Sequence, residues 1–392
     1  MSLFSLKYLT KTNYLNLLFV AIPISFIAGN TAINVNIVLL ILSTFFLYGS
    51  SLTKIRYYLL DKIIISFFLL ILLTGFSNNL YLYYGDVKDF SKDFTIIIKS
   101  LLFLRYLALY LVIRFLIEKE ILNFKYFFIS CFLFSIFVSF DIFYQLTFGK
   151  DIFGFEATGR KLSGPFNDEL IAGSYLQRFS LFSFFLFPIF FNIETKKIIK
   201  FLIPLLFIVF FSAIIISGNR MPLILFILGT SALLVFQKET RKYIPIFVLV
   251  FSLAFLVIFK FNSTVKSNFN NFYSQIDGII ETSILKKTDN PYSHYSKQFN
   301  SFYDTWLINK YIGGGIKSFR YYCHTRPNID KNSKFICNMH PHNYYLEILT
   351  ETGVIGFLII TSIFFMTLYI SFFKKYFTDS RLKNNHIITP FI

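Results

Sequence analysis

Residues 201–237 read FLIPLLFIVFFSAIIISGNRMPLILFILGTSALLVFQ, two unbroken apolar runs joined by Ser217-Gly218-Asn219-Arg220. Each run, near 201–217 and 221–237, is long enough as a helix to cross a hydrocarbon core of about 30 Å, and a few small polar residues suffice to turn the chain between them. Transmembrane strands would need roughly ten-residue segments of alternating polarity, and these runs do not alternate. The pattern dictates an all-α membrane protein.

Outward from that hairpin the pattern repeats. Spans are expected near 13–29, 31–48, 62–77, 94–117, 126–148 and 170–192 before it, and near 244–260 and 353–373 after it, about ten transmembrane helices in one polytopic helical bundle. The first is too long for a removable signal peptide and lacks its small-residue cleavage site, so it is read as retained. The short turns bearing Lys54 and Arg56, Lys119 and Lys125, Lys196 and Lys197, Lys238 and Arg241, and Lys374 and Lys375 alternate with loops on the other side, one of which holds Asp86, Asp89 and Asp93. Short basic loops stay cytoplasmic, which puts both termini inside. The long segment after Lys260 is basic too, but loops beyond about 60 residues escape that bias, so it is expected to be a large extracytoplasmic loop capping the outer face. The expected organisation is a bundle over 1–259, a loop domain over 260–341, a motif helix and last span over 342–376 and a cytoplasmic tail over 377–392.

Composition agrees. With 55% hydrophobic and 15% charged residues in 392, the chain is too apolar for an ordinary soluble globule. The 55 Phe accompany abundant Ile, Asn and Lys, a bias that AT-rich coding produces by itself. A net charge of +17 marks cytoplasmic loops in such a chain and gives no nucleic-acid partner.

Polar groups inside apolar runs need an explanation. Arg105 sits mid-span, where a charge costs about 3 kcal/mol or more, so it pairs or faces water; Asp141 and Gln145, one helical turn apart, are its expected partners. Arg178 lies below the outer end of its span and either binds substrate or snorkels outward. Arg220 stands in the outer turn of the hairpin, as a ligand for anions or an anchor to lipid head groups. Cys323 and Cys337 flank a polar segment of the long loop; in an oxidising compartment they can close a 15-residue ring worth about 3 kcal/mol. Zinc is the rival reading for them, with His324, His340 or His342, but no Cys-x-x-Cys spacing supports it. Where that loop returns to the membrane, Met339 to Gly353 hold two histidines, His340 and His342, and two carboxylates, Glu347 and Glu351.

Three stretches together carry a family resemblance. They are Arg160 to Glu169 running into Gly173 to Arg178, the Ser217-Gly218-Asn219-Arg220 turn, and His342-Asn343-Tyr344-Tyr345-Leu346 followed by Glu351-Thr352-Gly353. The chain resembles the O-antigen ligase and polymerase family over roughly residues 90–375, with topology and long outer loop in the expected order. The resemblance implies a glycosyltransferase of the bacterial inner membrane that moves a glycan from a polyprenyl diphosphate carrier to a sugar hydroxyl. The acceptor is lipid A-core for a ligase and a growing glycan for a polymerase.

The donor already carries a good leaving group, so the chemistry asks for a base on the acceptor hydroxyl and cations on the departing diphosphate, with no metal or other cofactor. The family's motif histidine falls on His342, the expected base, with His340 as competitor. Arg220 is the expected diphosphate clamp because guanidinium binds phosphate oxygens in a bidentate fork. Arg320 is a second clamp or one solvated charge among many; Glu347 and Glu351 orient a histidine, bind sugar hydroxyls, or cap and salt-bridge. A transporter or flippase of lipid-linked glycans is the alternative, and would line a path through the bilayer with Arg105 and Arg178.

Overall fold

In the computed structural model, residues 10–84, 94–157, 161–184, 196–236, 244–261, 293–326, 337 and 343–371 are described, with scattered positions between 263 and 280. The acidic turn at 85–93, Arg160, His340, His342 and the tail from 372 onward lie outside the described residues. Among those described, the chain is helical and forms no strand, only an isolated bridge between Lys150 and Glu156. Among the described residues, five helices are long and apolar enough to cross a membrane, within Asn30–Lys54, Leu59–Tyr84, Thr95–Glu118, Phe124–Phe148 and Tyr344–Ser371. The protein is an all-α membrane protein. The opening hairpin of the sequence forms two shorter apolar helices.

The chain divides into two compact units. The first takes Met1–Thr53, Arg114–Asn271 and Ser371–Ile392. It holds α1 (Lys11–Val20), α2 (Ile22–Ile27), α3 (Asn30–Tyr48), α6 (Phe124–Phe148), α7 (Ala172–Ser183), α8 (Lys196–Ile216), α9 (Arg220–Phe236) and α10 (Ile244–Phe261). The expected first span is broken at Ala21, because Pro23, in the first turn of α2, has no N–H to continue the α1 ladder. Asn123 caps α6 by accepting from the Lys125 N–H at 3.1 Å, and Gly149 ends it in the left-handed region, φ 76°. Asp141 accepts from the Ile152 N–H at 2.8 Å and Gln145 from the Gly164 N–H at 2.9 Å. Together they tie the polar loop after α6 back onto that helix.

The second unit takes Lys54–Ile113 and Phe272–Ile370. It contains α4 (Leu59–Tyr84), most of α5 (Thr95–Glu118), α11 (Ser293–Ile308), α12 (Phe319–Tyr322) and α13 (Tyr344–Leu368). Residues 293–326 of the long loop therefore pack with two early spans and the last one. Phe67, Phe68 and Ile71 of α4 bury Ile316 of the loop, and Phe302 of α11 stacks on Phe319 with ring centroids 3.5 Å apart. Glycine sets the α4–α5 spacing: a Cβ on Gly75 would lie 2.2 Å from Ser100 Oγ. Cys323 and Cys337 are joined in a disulfide, Cα atoms 5.7 Å apart, and the buried Arg326 donates to the Cys323 carbonyl at 2.7 Å.

Candidate active site

The last helix is two helices. At Gly353 the backbone turns to φ 65°, ψ −169°, so α13 breaks one residue after Thr352 and resumes at Val354. A break leaves carbonyls before it and N–H groups after it without helical partners, a heavy cost in an apolar setting. The loop supplies them: the N–H groups of Gly314 and Gly315 donate to the carbonyls of Thr350 and Glu351 at 2.9 and 2.8 Å, while those of Val354 and Ile355 donate to the carbonyls of Lys310 and Tyr311 at 2.9 and 3.1 Å. Only glycine permits the approach, since a Cβ on Gly313 would sit 2.4 Å from the Glu351 carbonyl carbon, and one on Gly353 2.3 Å from that of Tyr311. Asn78 of α4 donates to the Gly313 carbonyl at 3.0 Å and accepts from Tyr322 Oη at 3.1 Å. Burial pushes the Tyr322 phenol up to about 12, so it stays a donor at ordinary pH.

This docking makes a cavity of about 530 Å³ in the second unit. One face of α5 lines it with Lys99, Leu102, Phe103, Arg105 and Tyr106, positions three or four apart. The first half of α13 offers Tyr344, Glu347, Ile348 and Glu351 at the same spacing, and the loop adds Ile316, Lys317 and Arg320. Four cations thus share the space with two carboxylates and an apolar strip. Arg105 donates to Tyr106 Oη at 3.0 Å and lies 4.8 Å from that ring's centroid, while its buried Nε has no hydrogen-bond partner. Lys317 Nζ pairs with Glu347 Oε1 at 2.6 Å, and the Lys317 N–H donates to Glu351 Oε1 at 2.7 Å. Arg320 is exposed and forms no ion pair among the described residues. Four positive groups beside an apolar strip are suited to a polyanion carried on a hydrocarbon tail.

Residues 205–361 match the family model described as O-antigen ligase. Over this region the chain is similar to the O-antigen ligase family. No curated protein matches the chain. The match supports a glycosyltransferase function of O-antigen ligase type, and it contains the Arg220 turn, the glycine loop, Lys317, Arg320, His342 and both halves of α13 except its end. Lys99, Arg105 and Arg178 lie outside it.

The expected site residues are distributed unevenly. Arg320 and Glu347 come together in the cavity. His342 lies outside the described residues; Asn343, beside it in sequence, caps α13 by accepting from the Tyr345 and Leu346 N–H groups at 3.0 and 3.3 Å. Arg220 and Arg178 belong to the first unit. Arg220 opens α9 after a turn in which Gly218 adopts φ 75°, Asn219 Nδ2 donates to Ser217 Oγ at 3.3 Å, and the Ser217 carbonyl accepts from the Leu162 N–H at 3.3 Å. A Cβ on Gly173 would lie 2.6 Å from Ser217 Oγ, so α7 presses directly on this turn. Arg178, further along α7, is exposed. Lys317 and Lys99 escaped sequence reasoning: Lys317 is one more basic residue of a basic loop, and only the Gly-Gly-Gly run before it signals unusual backbone there.

Proposed function

We propose that the cavity in the second unit receives the diphosphate of a polyprenyl-diphosphate-linked glycan and that the protein transfers this glycan to a sugar hydroxyl at the outer face of the bacterial inner membrane. The observation that carries the reading is the convergence of Lys99, Arg105, Lys317 and Arg320 on one space that Leu102, Phe103, Ile316 and Ile348 floor with apolar surface. Cations preorganised about a departing diphosphate stabilise the charge that develops on it. The apolar residues suit the first isoprene units of the carrier.

In the step, the acceptor oxygen bonds to the anomeric carbon as the bond from that carbon to phosphate oxygen breaks. The electron pair leaves on the diphosphate, and the hydroxyl proton passes to His342, which precedes the lining residue Tyr344 by two positions in sequence. Arginine and lysine meet the charge requirement without a metal. The orientation that accords with the basic turns has both termini cytoplasmic, about ten crossings, and the 260–341 loop outside. Ligase and polymerase share this chemistry and differ in acceptor, lipid A-core or growing chain.

The test is donor binding and single-turnover transfer by purified protein with a fluorescent polyprenyl-diphosphate oligosaccharide. Arg105→Ala and Arg320→Ala should each weaken donor binding about tenfold or more, the scale of a lost charge-assisted phosphate contact. Wild-type affinity in both would remove the cavity from the donor site. Arg220 is tested in parallel: Arg220→Ala should impair turnover more than Arg220→Lys, which keeps charge but not the planar fork. In a deletion strain, accumulated unligated polymer would indicate a ligase and a single capped repeat a polymerase.

A further inference from the structure

Of the cavity's cations, Lys317 is the one whose ion pair faces a carboxylate of the same cavity, Glu347 at 2.6 Å. The two side chains keep 31% and 21% of their surface exposed, so the pair opens to the cavity and is not sealed in the core. The root of Lys317 does not move freely: its backbone, at φ 60°, is held by the N–H bond to Glu351. What can move is the four-carbon stem and its compact ammonium, which hydrogen-bonds in many directions where a guanidinium fork holds one.

Resting on the donor-site reading above, we propose that Lys317 and Glu347 form an exchange pair for the diphosphate. Lys317 passes from the Glu347 carboxylate to the arriving phosphate oxygens, and Glu347 takes the ammonium back as the diphosphate leaves. The physical need comes from the reaction. A glycosyl diphosphate ester carries two negative charges; once the sugar departs, the terminal phosphate gains another. Fixed guanidinium groups at Arg105 and Arg320 therefore hold the product more tightly than the substrate. A carboxylate that competes for one cation weakens the grip on both, and offsets the product's extra attraction by giving Lys317 an alternative partner. Glu347 is thus a release residue, acting on the diphosphate through Lys317.

Inorganic pyrophosphate is the probe, titrated calorimetrically into the full-length protein in detergent. Removing the competing charge in Glu347→Gln should tighten pyrophosphate about three- to tenfold, the scale of an ion pair in a partly exposed site, and should slow steady-state turnover relative to the first turnover. Lys317→Met should weaken pyrophosphate about tenfold or more. Melting in detergent screens folding, and Glu347→Ser carries the same expectation as Glu347→Gln. Unchanged or weaker binding in a folded Glu347 variant overturns the exchange. If Arg105→Ala and Arg320→Ala weaken pyrophosphate while the Glu347 variants do not tighten it, the exchange falls alone. If none of the five variants changes binding, the donor-site reading falls with it.

Discussion

The Lys317 backbone N–H donates to the Glu351 carboxylate at 2.7 Å while Lys317 holds φ 60°, a left-handed conformation that costs an L-residue roughly 1–2 kcal/mol. Three glycines stand just before it in the same turn, and two of them, Gly313 and Gly315, are also at positive φ. A fourth glycine at 317 would relieve the strain, so a lysine there is explained by its side chain. Glu351 answers from the other side: its carboxylate holds the loop backbone, and its own carbonyl accepts from Gly315. The Glu-x-Gly element of the last motif is therefore a lock between a broken helix and the loop.

Lys317→Gly separates backbone from charge. The variant should melt at the same temperature as wild type or higher, because glycine adopts positive φ freely, yet bind donor about tenfold more weakly. Paired melting and donor-binding curves check this; undiminished donor affinity would show the ammonium to be idle.

Gly353→Ala should be among the most damaging small substitutions in the chain. It adds a Cβ 2.3 Å from the Tyr311 carbonyl carbon at a backbone conformation that alanine resists, and neither backbone can retreat without losing the hydrogen bonds across the break. A loss of about 3 kcal/mol or more is expected, read as a drop in melting temperature or failure to run as a single gel-filtration peak. Gly229→Ala is the contrast: it meets only the tip of the Leu181 side chain, at 2.8 Å, in a regular helix, and should cost far less.

Replacing Cys323 and Cys337 together by Ser should destabilise the protein by about 3 kcal/mol, the value for opening a 15-residue ring. Arg326, buried against the bridge, would lose its contact with Cys323 Sγ at 2.8 Å as well. An impermeant thiol reagent applied to intact cells should label these positions only after reduction. Labelling without reductant would contradict both the bridge in the cell and the outside placement of the loop.

His342→Ala should lose at least about two orders of magnitude in transfer, the usual share of a general base, while donor still binds. His340→Ala should lose less. Below the ordinary histidine range the imidazole of the wild type is protonated and cannot accept the hydroxyl proton, so donor-saturated transfer should fall on the acid side. Transfer by His342→Ala at near wild-type rate, with a retained acid limb, would assign the base elsewhere.

Much of the fold was legible in the amino-acid order because hydrocarbon leaves the backbone one local solution: an apolar run of about twenty residues must satisfy its own N–H and C=O groups as a helix. Expected spans at 94–117 and 126–148 became Thr95–Glu118 and Phe124–Phe148 for that reason. The reading faltered where tertiary contacts replace local hydrogen bonds. A motif helix and last span were expected over 342–376, but the apolar pattern could not show the break at Gly353 inside the helix that begins at Tyr344, which is tolerable only because the loop backbone around Gly313 docks into it.

The sequence by itself determined the membrane class, the place of several helices, and the candidates proposed for the chemistry: His342, Arg220, Arg320 and two glutamates. It determined no partner for any of them. Arg105 opens onto a cavity with Lys317, Arg320 and Glu347, a neighbourhood that its position in an apolar run did not disclose. Helical periodicity says which face a residue occupies and nothing about what packs opposite it. Lys99 and Arg320 share a cavity across more than two hundred residues of chain, and only the folded second unit, through its glycine loop and broken helix, brought them together.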